Sequence, residues 1–335
     1  MANTAYQTGL TKPHWGGATS TLDQHLEVYT GEVDTKFKHT SLFESITPRK
    51  SVAQRSNNIR IDRLGGSKVM GRTSGVALES QAVRSDKLVI TVDTVIYIRN
   101  PIDYQDDWTA PDFLREMAQN NGTEFARLYD TANLLQLIRC NTFVAPAHLA
   151  DSFGNGKKIS VARIAAPKNR AEQEANAIAS YFAFRKGVDI LVKERQPLGD
   201  LKLVVDTDIF SDLQEHPKAL NKDFSTRSPD YSDRRVADVD GVTVIESTEF
   251  PQVVGALPLH STGNNFTVTA DDLKFKAVLF NSQLATVIVE AQPFTSRMYD
   301  DPKEFANVLD CYAMYTIGQR RPDTVVAFEF VAPTP

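Results

Sequence analysis

The sequence predicts an α+β protein, and three observations carry that prediction. Leu88-Val89-Ile90-Thr91-Val92-Asp93-Thr94-Val95-Ile96-Tyr97-Ile98 is β-branched almost throughout, as a strand requires. Two long stretches, from Thr109 to Cys140 and from Asn169 to Glu194, carry apolar residues at helical spacing. Short apolar strands then recur through the second half, with no internal repeat. A chain of 335 residues exceeds what one hydrophobic core usually serves, so two lobes with extensions are expected.

Taken in order, the first twenty residues are rich in Thr, Gly, Ser and Ala and read as an unanchored arm. A short amphipathic helix is expected from Leu22 to Phe37, interrupted by Gly31. Residues 50 to 85 form the odd segment. Ile59-Arg60-Ile61-Asp62-Arg63-Leu64 alternates like a strand, and so does the stretch from Val76 to Leu78. Between them Gly65, Gly66, Gly71 and Gly75 favour turns, which predicts a long hairpin. So few bulky apolar residues bury little on the same body. A hairpin of this kind is expected to dock on a neighbour.

After the strand from Leu88 to Ile98, Pro101 is expected to end it. Thr109 and Pro111 then open the long helix, whose stripe is Leu114, Met117, Ala118, Phe125, Leu128, Ala132, Leu135 and Ile138. Residues 151 to 168 read as loop. The second helix starts at the Asn169-x-x-Glu172 cap, with Ala175, Ile178, Ala179, Phe182 and Ile190 as its apolar side. Leu201–Asp206 is a strand, followed by a short helix through Ile209, Phe210 and Leu213 and by polar loop from Pro217 to Asp233. Gly241–Glu246, Val278–Phe280, Thr286–Val289 and Thr324–Val331 are further strands, and Phe305, Val308 and Leu309 lie on a helix or an extended segment.

Composition narrows the function. The formal charge of −5 argues against a dedicated nucleic-acid reader, which needs clustered Lys and Arg. The charge is uneven: residues 34 to 87 hold eleven basic against five acidic side chains, and residues 200 to 249 hold six against twelve. Opposite-signed regions on one chain suit either complementary contacts between copies or two differently solvated faces. No apolar run approaches the roughly 18–20 residues that span a bilayer, and the first residues carry no secretory pattern. Cys140 and Cys311 read as buried, reduced thiols.

No catalytic constellation assembles. Gly154-Asn155-Gly156-Lys157 lacks the spacing of a phosphate loop, and Lys158 stands where the magnesium-binding hydroxyl belongs. Six histidines are scattered singly, without zinc spacing. Asp238-Val239-Asp240-Gly241 reads as a turn feeding a strand rather than a calcium loop, and Asp206-Thr207-Asp208 as a helix cap rather than a carboxylate pair. No catalytic, cofactor or metal residue is assigned.

Several blocks in order resemble one family. Gly31-Glu32-Val33-x-Thr35-x-Phe37, Lys68-Val69-Met70-Gly71-Arg72-Thr73 and Asp86-Lys87-x-x-Ile90-Thr91-Val92-Asp93 resemble the N-terminal third of major capsid proteins from double-stranded-DNA bacteriophages with short tails, of the podovirus, Autographiviridae type. Val204-Val205-Asp206-x-Asp208, Gly241-Val242-x-Val244-Ile245-Glu246, Tyr312-Ala313-Met314 with Ile317-Gly318, and Arg321-Pro322-Asp323 continue the resemblance. It implies the tailed-phage major-capsid fold: an N-terminal arm (1–50), an extended loop (51–85), a peripheral domain with a long spine helix (86–195 and 284–311) and an axial domain (196–283 and 312–335). It implies self-assembly into hexamers and pentamers of an icosahedral shell, through a procapsid that matures, with scaffolding and portal proteins as partners. Packaged double-stranded DNA would be held without sequence specificity, and the chain would be made in the host bacterial cytoplasm before entering the virion. Arg60, Arg63, Lys68 and Arg72 on the loop are then the expected inter-subunit contacts. The alternatives are an encapsulin-like compartment and a cytosolic nucleotide-binding enzyme. Nothing marks a Lys–Asn pair for covalent cross-linking.

Overall fold

A computed structural model describes residues 41–52, 56–103, 113–216, 238–259, 264–301 and 306–333. The expected arm before Ser41, the helix Leu22–Phe37, the helix opening at Thr109, the stretch from Pro217 to Asp233 and Phe305 lie outside these residues. Two sheets organise the rest. One has strand order β1-β12-β13-β4, formed by β1 (Arg49–Ser51), β4 (Ile96–Asp103), β12 (Thr286–Asp301) and β13 (Ala306–Gln319). The other has order β5-β14-β11-β6-β8-β7, formed by β5 (Lys157–Ala162), β6 (Leu201–Asp206), β7 (Asp238–Val239), β8 (Val242–Ser247), β11 (Phe275–Asn281) and β14 (Val325–Val331). A separate antiparallel pair joins β2 (Asn58–Leu64) to β3 (Ser85–Thr91), and β9 (Gly255–Ala256) pairs with β10 (Thr267–Val268).

The six-stranded sheet separates two cores because its central strands alternate between them. Val204, Val278, Phe280, Val325 and Ala327 face the first core, which also holds Tyr129, Leu134, Leu137 and Ile138. Leu203, Val205, Ala277, Leu279, Val326 and Phe328 face the second. Following the short helix α1 (Phe43–Ile46), helix α2 (Phe113–Arg139) supplies the first core and runs about 40 Å at 1.5 Å per residue. Residues 132 to 138 of α2 are all buried, so its C-terminal half passes through the interior rather than over it. Helices α3 (Arg170–Lys193) and α4 (Thr207–Gln214) cover the opposite face of the sheet.

The expected caps hold. Asn169 Oδ1 accepts from Glu172 N at 2.9 Å, and Asp206 Oδ1 accepts from Thr207 N at 2.9 Å. Asp240 (φ 48°) and Gly241 (φ 82°) form the two-residue turn between β7 and β8, where the left-handed backbone matches strand twist. Cys140 and Cys311 are buried, free thiols.

Several expectations are corrected. The run from Leu88 to Ile98 breaks between Thr91 and Ile96, because its two halves pair with different partners, β2 and β13. Pro101 does not end β4. It lies on an edge strand opposite Val308, where a missing amide costs no ladder bond on the open side. Lys157–Ala162, within the expected loop, is a strand parallel to β14. The segment through Val308 and Leu309, expected as helix or extended, takes the extended alternative in β13.

The buried face of α3 is Ala177, Ser180, Phe184, Gly187, Val188 and Leu191, whereas Ile178 and Phe182 are exposed. Two apolar stripes coexist on this helix, and the one with Gly187 wins. A Cβ there would sit 2.7 Å from Phe328 Cζ, so only glycine lets the helix approach the sheet. The layers also cross the expected domain limits. Helix α3 and β5 pack with the six-stranded sheet rather than with α2, and β13 continues through residue 311 in the four-stranded sheet. The reason is burial: Phe184, Val188 and Leu191 share one cluster with Leu203, Val205, Leu279 and Phe328.

Candidate assembly interface

The β2–β3 hairpin has an anchored base and an unburied end. At its base Ile61 and Ile90 pack with Val92, Val287 and Val289 against the face of β12 turned away from α2. Contact here is close enough that a Cβ on Gly318 would lie 2.1 Å from Ile90 Cδ1. Arg63 fastens the same end: Nε donates to Arg320 O at 3.0 Å, Nη2 to Gln319 O at 2.8 Å, and the guanidinium lies over the Phe143 ring. Burial pulls the Arg63 pKa down, an effect that nearby Asp86 and Asp323 oppose. Gly65 N donates to Arg84 O at 2.8 Å, and Gly66 N donates to Ser152 Oγ at 2.6 Å.

Beyond that point the chain leaves the body. Every residue from 66 to 85 is exposed, including Val69 (102%), Met70, Val76, Leu78 (79%) and Val83. Sparse as they are, these five apolar side chains stand exposed together on one excursion, as at a protein–protein contact. The stretch from Val76 to Leu78, expected as the second strand, is not one. Ser85–Thr91 takes that role, and Val76 N closes a turn on Thr73 O at 3.2 Å.

The four expected contact residues therefore divide. Arg63 is turned inward and positions the hairpin on its own subunit. Arg60 Nε pairs with the exposed Asp62 carboxylate at 2.7 Å along the same strand. Arg72 Nε donates to Val76 O at 2.6 Å and holds the tip turn, leaving its exposed charge pointing outward. Lys68 is exposed, and its amide donates to Gln81 Oε1 at 3.0 Å. Sequence reasoning assigned no role to Gly318 or Ser152, because both meet the hairpin only through long-range contact.

The chain entry is fastened by a buried carboxylate. Asp130 on α2 accepts from Ser41 Oγ at 2.8 Å, Leu42 N at 2.8 Å and Phe43 N at 3.2 Å. Burial lifts its pKa to about 6, against the pull of these three donors. Beside it runs a groove of two cavities, about 340 and 460 Å³, both lined by Thr207 and Thr248. Asp130, Asp206, Asp208, Glu246 and Glu249 line it, with Lys276 and Arg127 as the cations among the described residues.

Lys157 and Glu194 form an ion pair, and Lys157 Nζ also donates to Asp323 O, so the Gly-Asn-Gly-Lys stretch ties a strand into the body. A Cβ on Gly156 would meet Cys140 O at 2.2 Å, which accounts for that glycine by packing. Among the described residues no cluster of His, Cys, Asp or Glu suits a metal ion, and no helix is long and apolar enough to cross a membrane.

Among solved structures, the chain of the bacteriophage PhiM1 mature capsid is 37% identical, with 88% of each chain covered and a TM-score of 0.75. This chain belongs to the bacteriophage capsid proteins. The capsid chain of cyanophage P-SCSP1u shares the fold at 15% identity, covering 88% of this chain and 89% of its own, with a TM-score of 0.72. The virus-like particle from Pyrococcus furiosus shares it more distantly, at 10% identity and a TM-score of 0.54, covering 90% of this capsid protein and 98% of its own chain. No protein-family model and no curated protein matches the chain.

Proposed function

We propose that this chain is the major capsid protein of a bacteriophage, a structural subunit that self-assembles into pentamers and hexamers of an icosahedral shell around the phage genome. The observation that carries this reading is the 37% identity to the PhiM1 mature-capsid chain over 88% of both chains. The hairpin supports it: twenty consecutive exposed residues, among them Val69, Met70, Val76, Leu78 and Val83, suit a contact between subunits. Each hairpin reaching onto the next copy is a heterologous contact, which closes into a ring when the rotation permits. Modest interfaces then add through multivalency. The virus-like particle resembles the chain in fold alone, so no observation favours a cargo compartment.

The block-by-block resemblance supports a short-tailed phage, a procapsid formed with a scaffolding protein, a portal, and DNA packaged without sequence specificity in a virion built in the bacterial cytoplasm. The layers support a modified division of the chain. Helix α2 and the four-stranded sheet make the peripheral part, whereas β5, α3, α4 and the six-stranded sheet make the axial part. Lys68 and Arg72 are the contact residues toward a neighbour, Arg60 flanks them, and Arg63 sets the hairpin's exit angle. The test is expression of the chain with and without its scaffolding partner, followed by sedimentation and electron microscopy. Shells or capsomers are expected. A chain that stays monomeric at high concentration with scaffold present overturns the reading.

A further inference from the structure

We propose that the hairpin tip of one copy, residues 68 to 78, docks in the acidic groove of a second copy, between the N-terminal end of α4 and the strand end at Glu246–Gln252. This rests on the shell-forming reading above and adds where the contact falls. The tip offers Lys68 and Arg72 interleaved with Val69, Met70, Val76 and Leu78, all exposed. The groove offers a matching set: Asp208 and Glu249 at its mouth, with buried Phe250 and Pro251 as its floor and the exposed Gln252, Val253 and Val254 continuing from it. Among the described residues five acidic side chains, Asp130, Asp206, Asp208, Glu246 and Glu249, line it against the two cations Lys276 and Arg127. Lys276 engages Asp206 at 3.0 Å and Asp208 at 3.5 Å, and Arg127 approaches Glu249 at 3.9 Å, so among these described pairs three carboxylates share two cations. Opposite charge with apolar flanks on both sides is the pattern of a steered, register-fixing contact.

The tip's own groove is not its partner in this structure, because Lys68, Val69, Met70, Arg72, Val76 and Leu78 are all exposed on their own subunit. Reach is sufficient for a neighbour: each limb of about nine extended residues spans about 30 Å from the anchor at Gly66. Another exposed apolar pair, Ile178 and Phe182 on α3, has Glu174 one turn before it and Arg185 and Lys186 one turn after, a mixed rather than an acidic surrounding.

A charge exchange tests this in the full-length chain. Lys68→Glu with Arg72→Glu, and separately Asp208→Lys with Glu249→Lys, should each lower shell yield at least tenfold by sedimentation. The four changes together should restore it to within threefold of the native chain. Circular dichroism and thermal unfolding of the unassembled subunits establish that each variant folds. A second measurement does not depend on charge: Val76→Cys with Gln252→Cys should give a ladder of disulfide-linked multimers on oxidation, against buried native Cys140 and Cys311. Cross-linking instead from Val76→Cys to Phe182→Cys, or unrescued charge variants that fold, overturns the docking site. Deletion of the tip separates the two claims: if shells form without it, the clasp itself fails, whereas lost shells with unrescued swaps sink only the groove.

Discussion

Gly318 and Ile90 show how far one side chain governs the hairpin. Ile90 Cδ1 occupies the space where a Cβ on Gly318 would lie, at 2.1 Å, so Gly318→Ala must push the hairpin base off β12. Overpacking of this kind costs about 1–3 kcal/mol, and chemical denaturation of the unassembled subunit should show it. Gly71→Ala is the control. Nothing lies within 4 Å of a Cβ there, so stability should change by less than about 0.5 kcal/mol. Asp130 gives a residue its own pH signature. Its ordinary pKa of 3.8 is raised to about 6 in the folded chain, chiefly by burial. The folded state therefore keeps a proton that the unfolded state has released, and the stabilisation present below about pH 4 is lost as pH rises through about 6. A two-unit shift amounts to on the order of 3 kcal/mol. Urea midpoints from pH 4 to 7 should fall in the native chain and stay flatter in Asp130→Asn; parallel slopes would refute the assignment.

At the scale of elements, local signals held where the cause was local. The Asn169 cap places the start of α3, and Asn169→Ala should cost about 1 kcal/mol in denaturant unfolding without changing the sheet register. The Asp206 cap and the Asp240–Gly241 turn were equally readable from sequence, since each is a bond or backbone angle set within a few residues. Elements defined by distant partners were not. Lys157–Ala162 is a strand because β14, some 170 positions later, lies parallel to it, and no neighbouring residue announces that. The choice between the two stripes of α3 is made by Phe328 against Gly187, again a distant contact. The hairpin was legible as an excursion from its glycines and sparse apolar residues. Its second strand was not, because Val76–Leu78 and Ser85–Thr91 both suit the pattern and pairing with β2 selects the latter. In the same way Arg63 looked like a contact residue by charge, until the carbonyls of Gln319 and Arg320 turned it inward.

For the whole molecule, folding and assembly are separable because the hairpin's base and its end serve different partners. Ile61, Ile90 and Arg63 belong to the subunit's own packing, whereas residues 67 to 83 are exposed throughout. Removing residues 67 to 83 and joining the limbs with a short glycine turn keeps the closing bond from Gly65 N to Arg84 O. The subunit should then retain its circular dichroism and unfold within a few degrees of the native chain, since the deleted residues are all exposed. Shells should not form, because a ring of heterologous contacts fails when each copy loses the arm that reaches the next. The loss should be cooperative: with contacts closing in rings, a mixture of native and shortened subunits should lose shells faster than in proportion to the shortened fraction. Sedimentation of such mixtures measures this directly. A linear decline would mean that the hairpin adds stability to a shell already held by other surfaces, and undiminished assembly of the shortened chain alone would remove the clasp from the account.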